Sequence, residues 1–225
     1  MKNNEELQRD VQNAIKWEPL LHAAEIGVTV KDGGVVSLTG VVDSYTKKME
    51  AENAAKKVIG VKALVENIEV KFPSSWTKTD AEIADEILLA LKANWGVPKD
   101  KKIGVKVENG WVTLEGELHW NYQKEAAKSA VKYLKGVKGV TCDINIKAES
   151  HDAIEQKDIE DAIGRSWSID DHDIQVKVSG TTVTLSGTVT SWYQKEEAAR
   201  IAWNTPGISL VKNELVVDYY YALID

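Results

Sequence analysis

The sequence predicts an α+β protein built as three tandem αββαβ two-layer sandwich domains. Three observations carry this reading. The phrase "VSLTG" (36–40) recurs as "VTLEG" (112–116) and "VTLSG" (183–187), and from Gly40, Gly116 and Gly187 the copies align without a gap for thirty positions. A second glycine follows in each copy at Gly60, Gly136 and Gly207. Each copy also alternates helical and strand periodicity in the same order, which marks a repeated structural unit rather than a repeated site.

Each element can be justified in turn on the second copy. Ile83, Ile87 and Leu91 fall at i, i+4 and i+8, so a helix is expected over about 79–94, with Thr79 as N-cap and acids in its first turn. "IGVKV" (103–107) alternates with period two, as a half-buried strand does; its counterparts are "IGVTV" (26–30) and "IQVKV" (174–178). A turn follows as "DGG", "NG" or "SG", of which Asn109-Gly110 is a strong hairpin signal. "WVTLEGEL" is the second strand, and its glycine marks a bulge or a close backbone approach. A second helix is expected to begin near Lys48, Glu125 or Glu196 and to stop at the second glycine, a natural C-cap position. A short third strand closes the unit at Ile68/Val70, Ile144/Ile146 and Leu215/Val217. Two helices can cover one face of such a three-stranded sheet. Structural roles are therefore expected for Gly40, Gly116, Gly187, Gly60, Gly136 and Gly207. The domains are read as 1–73, 74–148 and 149–225, joined at "FPSSWTKTD" (72–80) and "AESHDAIEQ" (148–156).

Composition narrows the function. Apolar residues make 43% and charged residues 28% of the 225 residues, ordinary values for a soluble globular protein. The net charge is −7 with no Lys/Arg-rich run, which argues against nucleic acid as a partner. No stretch approaches the roughly 18 apolar residues of a membrane span, and the start "MKNNEELQRDVQNAI" has no apolar signal core. As written the chain is expected in the cytoplasm, or in the periplasm if a leader preceded it. The single Cys142 forbids an internal disulfide.

No enzyme constellation emerges. His22, His119, His151 and His172 occupy different positions in the copies, and no GxSxG, HExxH, P-loop or GxGxxG is present. Cys142 has no neighbouring histidine to activate it. "IDDHD" (169–173) offers hard oxygen ligands, but its spacing is no recognised metal loop, and a polar helix-to-strand connection is the simpler reading. No catalytic residue, metal or cofactor is expected.

Charge differs by unit. Residues 1–73 carry 10 basic and 11 acidic residues, 74–148 carry 12 and 10, and 149–225 carry 6 and 14. The copies share a fold plan and not a surface. Only the middle unit suits an anionic membrane, which attracts about 1 kcal/mol per Lys or Arg near its surface. Its candidates are "VPKDKK" (97–102) and Lys124, Lys128, Lys132 and Lys135, which share one helix face, with Lys138 beyond them. A solvated helix surface is the competing reading.

The phrase "YQKE" occurs at 122–125 and 193–196, preceded by tryptophan. Trp120, Tyr122, Trp192 and Tyr193 thus sit at the strand-to-helix connection, with Tyr45 nearby in the first copy. They could anchor a partner, dip into a membrane interface, or pack against a sheet edge or neighbouring domain. Trp17, Trp95 and Trp167, at helix ends, are expected to be core or staple residues. Tyr219, Tyr220 and Tyr221 are expected to pack on another domain or a second protomer.

The "VTLEG"/"VTLSG" strands, the alanine-bearing helix after them, the following "GV" and the closing "NIEV", "DINI" or "NELVV" resemble the BON domain family, named for bacterial OsmY and nodulation proteins, in three tandem copies. The resemblance implies an αββαβ sandwich and a non-catalytic binding module, associated with envelope and osmotic-stress proteins and with phospholipid surfaces. One cytoplasmic relative, a BON domain joined to a LysM domain, is associated with potassium sensing. Three functions follow as expectations: peripheral binding to anionic phospholipid, cytoplasmic cation or small-solute sensing, and protein–protein scaffolding.

Overall fold

The computed structural model describes residues 3–21, 26–73, 78–147, 155–166, 169 and 173–218. The expectations for Trp167, for Asp170, Asp171 and His172, and for the three tyrosines at 219–221 lie outside these residues, as do His22 and His151.

The order helix–strand–strand–helix–strand appears three times. The first unit contains α1 (Asn4–Lys16), β1 (Ile26–Lys31), β2 (Val35–Val42), α2 (Tyr45–Lys56) and β3 (Ala63–Val70). The second contains α3 (Asp80–Ala93), β4 (Ile103–Glu108), β5 (Trp111–Leu118), α4 (Asn121–Lys132) and β6 (Gly139–Ile146). The third contains α5 (Gln156–Gly164), β7 (Ile174–Ser179), β8 (Thr182–Val189), α6 (Trp192–Trp203), β9 (Leu210–Asn213) and β10 (Val216–Val217). In every unit the first two strands form an antiparallel hairpin, and the closing strand runs parallel to the second. The second helix makes that parallel crossover, which a hairpin cannot make.

The first helices form for local reasons. Asn3 caps α1 by accepting from the Glu6 N–H at 2.7 Å, and Glu6 reaches back to the Asn3 N–H at 3.0 Å. Thr79 and Glu82 repeat this reciprocal box on α3. Leu7, Val11 and Ile15 of α1, Ile83, Ile87 and Leu91 of α3, and Ile159 and Ile163 of α5 then point into three separate cores.

The hairpin at Asn109-Gly110 has φ of 53° and 82°, the left-handed pair a two-residue turn requires. Its two N–H groups donate to the Asp80 carboxylate at 2.8 and 2.9 Å, tying the turn to the start of α3. The strand glycine is not a bulge, because the register runs unbroken from Glu108↔Trp111 to Ile103↔Gly116. It is a close approach. Gly116 has φ 141°, and a Cβ there would lie 2.9 Å from the Lys102 carbonyl.

Two element boundaries differ from the sequence reading. The second helices begin three or four residues earlier than expected, at Tyr45, Asn121 and Trp192, and capping serines stand just before the first and the last of them. Ser44 and Ser191 accept from the N–H groups of Lys47 and Gln194. They also end four residues before the second glycine, at Lys56, Lys132 and Trp203. That glycine is therefore no C-cap. At Gly136, φ 94°, a Cβ would strike the Ile83 side chain at 2.8 Å, so the position lets the turn close over the first helix. The closing strand is also longer than expected in the first two units, at eight residues, and is interrupted only in the third.

Candidate functional site

The recurring "YQKE" resolves into separate jobs. Gln123 Oε1 accepts from the backbone N–H groups of His119 and Trp120 at 3.1 and 3.2 Å. Gln194 Oε1 accepts from the Thr190 N–H and hydroxyl at 2.9 and 2.8 Å. Both therefore fasten the connection that precedes the helix. Lys124 Nζ donates to the Ile144 carbonyl at 2.8 Å, and Lys195 Nζ to the Leu215 carbonyl at 2.6 Å. Lys48, in the same column of the first copy, donates to the Ile68 carbonyl at 3.0 Å and pairs with Glu66 at 2.7 Å. One lysine per unit thus pins the closing strand to the second helix.

The lysine stripe of α4 is less free than its spacing suggests. Lys124 is held by the strand, Lys128 and Lys132 are half-buried, and only Lys135 is exposed. Lys132 lies 4.8 Å from the centre of the Tyr133 ring, a cation–π contact. Among the aromatics, Trp120 is half-buried at the N-cap of α4, while Tyr122 and Tyr193 are exposed. Trp192 is half-buried against the core of the first unit, and its indole N–H donates to the Lys62 carbonyl at 3.1 Å.

The structure assembles a different surface around the "VPKDKK" stretch. Leu88 and Leu89 on the outer side of α3 are 53% and 67% exposed, and Trp95 just beyond it is 94% exposed. Beside them lies an open groove of about 490 Å³ with Leu88, Leu91, Val97 and Ile103 as its apolar floor. Lys92, Lys99, Lys101 and Lys102 rim it, and none of the four is in an ion pair among the described residues. Asp100 is the one acid within this stretch. The equivalents of Leu88 and Leu89 in α1 are Gln12 and Asn13, so the first unit has no such patch.

Trp95 corrects the sequence reading, as does Trp17 at 86% exposure. Neither is a core or staple residue. The core sides of α1 and α3 are already filled by aliphatic residues at i, i+4 and i+8, and these two tryptophans fall past the last of them. The groove itself was only half legible. The lysine-rich stretch stood out, while Leu88 and Leu89 lie off the Ile83, Ile87 and Leu91 face and recur in neither other copy, so neither the periodicity nor the alignment of the copies pointed to them.

Cys142 is half-buried on β6, and burial pushes its thiol above the usual range, the opposite of what an activated nucleophile needs. Among the described residues no three His, Cys, Asp or Glu side chains are grouped to hold a metal ion. No helix among them is long and apolar enough to cross a membrane.

Comparison with known proteins agrees with this layout. The BON domain pattern matches residues 3–71, 79–148 and 151–219. The Osmotically-inducible protein Y of Escherichia coli (strain K12) is 29% identical over 147 residues, covering 60% of this chain and 71% of that protein. Among solved structures, the C-terminal domain of CdsD, a structural protein of the type III secretion system of Chlamydia trachomatis, covers 96% of this chain and 100% of its own, at 16% identity and a TM-score of 0.26. A second CdsD structure gives 16% identity and a TM-score of 0.23, covering 93% and 91%. At those scores the CdsD likeness carries no argument.

Proposed function

Because the chain belongs to the BON domain family, we propose that it is a non-catalytic binding protein of osmotic-stress physiology that attaches peripherally to anionic phospholipid. On this reading residues 1–73, 74–148 and 149–225 are the three modules. The middle one makes the attachment. The observation that carries it is the patch of Leu88, Leu89 and Trp95 beside four lysines in no ion pair among the described residues, on the one unit with a positive balance. Exposed leucines and a tryptophan suit the apolar-to-polar boundary of a bilayer, where an indole has both an apolar body and a polar N–H. Four lysines near an anionic surface add roughly 1 kcal/mol each, a contribution that salt screens. The α4 side chains Lys128, Lys132 and Lys135, with Tyr122, extend the surface in the second rank, because Lys124 is committed to the closing strand. Tyr193, exposed on the third unit, adds to it only if that unit reaches the same bilayer.

Co-sedimentation with vesicles tests the reading. Binding to phosphatidylglycerol-containing vesicles and not to phosphatidylcholine is expected, weakening as salt rises. Replacing Lys92, Lys99, Lys101 and Lys102 by Gln should abolish it, and Leu88→Ser with Leu89→Ser should weaken it at every salt concentration. Equal binding to neutral vesicles, or none to either, overturns the proposal. In the latter case, thermal shifts with potassium and small solutes would examine the sensing alternative, and the exposed Trp17 and Leu20 would favour a protein scaffold.

A further inference from the structure

The second helix of each unit has twelve residues, and its first and last positions are Tyr45 and Lys56, Asn121 and Lys132, and Trp192 and Trp203. These two positions meet other units in a regular way. Tyr45, the first residue of α2, packs against the core of the middle unit, as does Val140 near the start of β6. Trp192, the first residue of α6, packs against the core of the first unit and donates to the Lys62 carbonyl, just ahead of β3. In both cases a first helical residue reaches the early part of another unit's closing strand.

The last positions run the other way. Lys56, ending α2, pairs with Glu196 of α6 at 2.7 Å. Trp203, ending α6, packs against the core of the middle unit as well as its own. The first unit therefore gives its leading residue to the second and its trailing residue to the third. The third unit gives its leading residue to the first and its trailing residue to the second. Both follow one cyclic order, third to first to second to third.

We infer that the three domains close into a pseudo-threefold ring, head to tail, with one aromatic side chain keying each interface. Tyr45 keys first to second, Trp192 keys third to first, and Trp203 keys second to third. The middle unit has Asn121 where the others have an aromatic, and its interface takes its key from the opposite side, at the position that is lysine in both other copies. The first and third units are not consecutive in the chain. Trp192 is the latch that joins them, assisted by Lys56–Glu196 and by Lys62–Asp218 at 3.0 Å. Closure also covers Trp192, so in the closed ring that residue serves the neighbouring domain rather than an outside partner.

Zero-length carbodiimide crosslinking of the full chain, read by mass spectrometry on the monomer band, tests the ring. Amide-linked peptides joining Lys56 to Glu196 and Lys62 to Asp218 are expected, beside the within-unit control Lys48 to Glu66, whose atoms lie 2.7 Å apart. Trp192→Ala should lose both cross-unit links and keep the control. Absence of the cross-unit links in the unaltered chain, with the control formed, overturns the ring whether or not the variant folds. Their persistence in Trp192→Ala overturns the latch. Should that variant lose the control as well, Trp192→Phe replaces it. A substantial drop in both cross-unit links is expected there, because the phenyl ring has no N–H for the Lys62 carbonyl, and undiminished links overturn the latch.

Discussion

The pinning lysine shows how a side chain that looks like a surface charge becomes a structural part. Lys124 lies in a lysine-rich helix and reads as solvated, yet its ammonium satisfies a strand carbonyl, as Lys48 and Lys195 do in their own units. Hydrogen bonds from a charged donor contribute about 1.5–3 kcal/mol when sheltered, and less when partly exposed. Lys195→Met should therefore destabilise the third unit by about 1 kcal/mol in urea titration, and a change under about 0.3 kcal/mol would contradict the pin. Gly116→Ala should cost more, about 2–3 kcal/mol, because it combines a left-handed φ with a clash against the Lys102 carbonyl. Cys142 should alkylate more slowly at about pH 8 in the folded chain than in urea, since a raised folded-state pKa leaves less thiolate at that pH. By the same sign, its contribution to stability is fully present below the thiol's ordinary pKa and is lost as pH rises from there through the raised folded-state value. The alignment of the copies placed the lysine column and the glycines, but the partners of the lysines lie twenty residues away across a crossover, where no local pattern points.

At the scale of elements, the order of strands and helices was legible because thirty gap-free positions in three copies average out local ambiguity. The starts of the second helices were not. Tyr, Trp and Asn are weak helix formers, so the sequence reading deferred the helix to the first strong formers, while the caps act earlier. Ser191 is 5% exposed and caps α6. Ser191→Ala should cost about 1 kcal/mol in urea titration, while Ser191→Asp should cost less than Ala because a carboxylate can still cap. In α4, where Trp120 stands at the N-cap with no capping hydroxyl, the Gln123 N–H donates instead to the Trp120 carbonyl at 3.1 Å.

The arrangement of the whole molecule rests on aromatics that the first and third units place against their neighbours, and here the sequence was least informative. The aromatics of the strand-to-helix connection stood out, but contacts such as Trp192 to Lys62 span 130 residues and leave no periodic trace. Magnitudes decide how the first and third units hold together. The two ion pairs between them among the described residues have partly exposed partners and contribute roughly 0.2–1 kcal/mol each. Burial of much of the Trp192 ring contributes about 2 kcal/mol, and its hydrogen bond about 1 kcal/mol more. The aromatic key therefore outweighs the ions, and raising salt screens only the smaller part. The radius of gyration from small-angle X-ray scattering should stay constant between about 0.1 and about 1 M NaCl, a range over which the screening length falls from about 10 to about 3 Å. Trp192→Ala removes the larger of these contributions, so its radius should already exceed that of the parent chain at low salt and grow further as salt rises. An expansion of the parent chain over the same range would mean that charge, and not the indole, holds the first and third domains together.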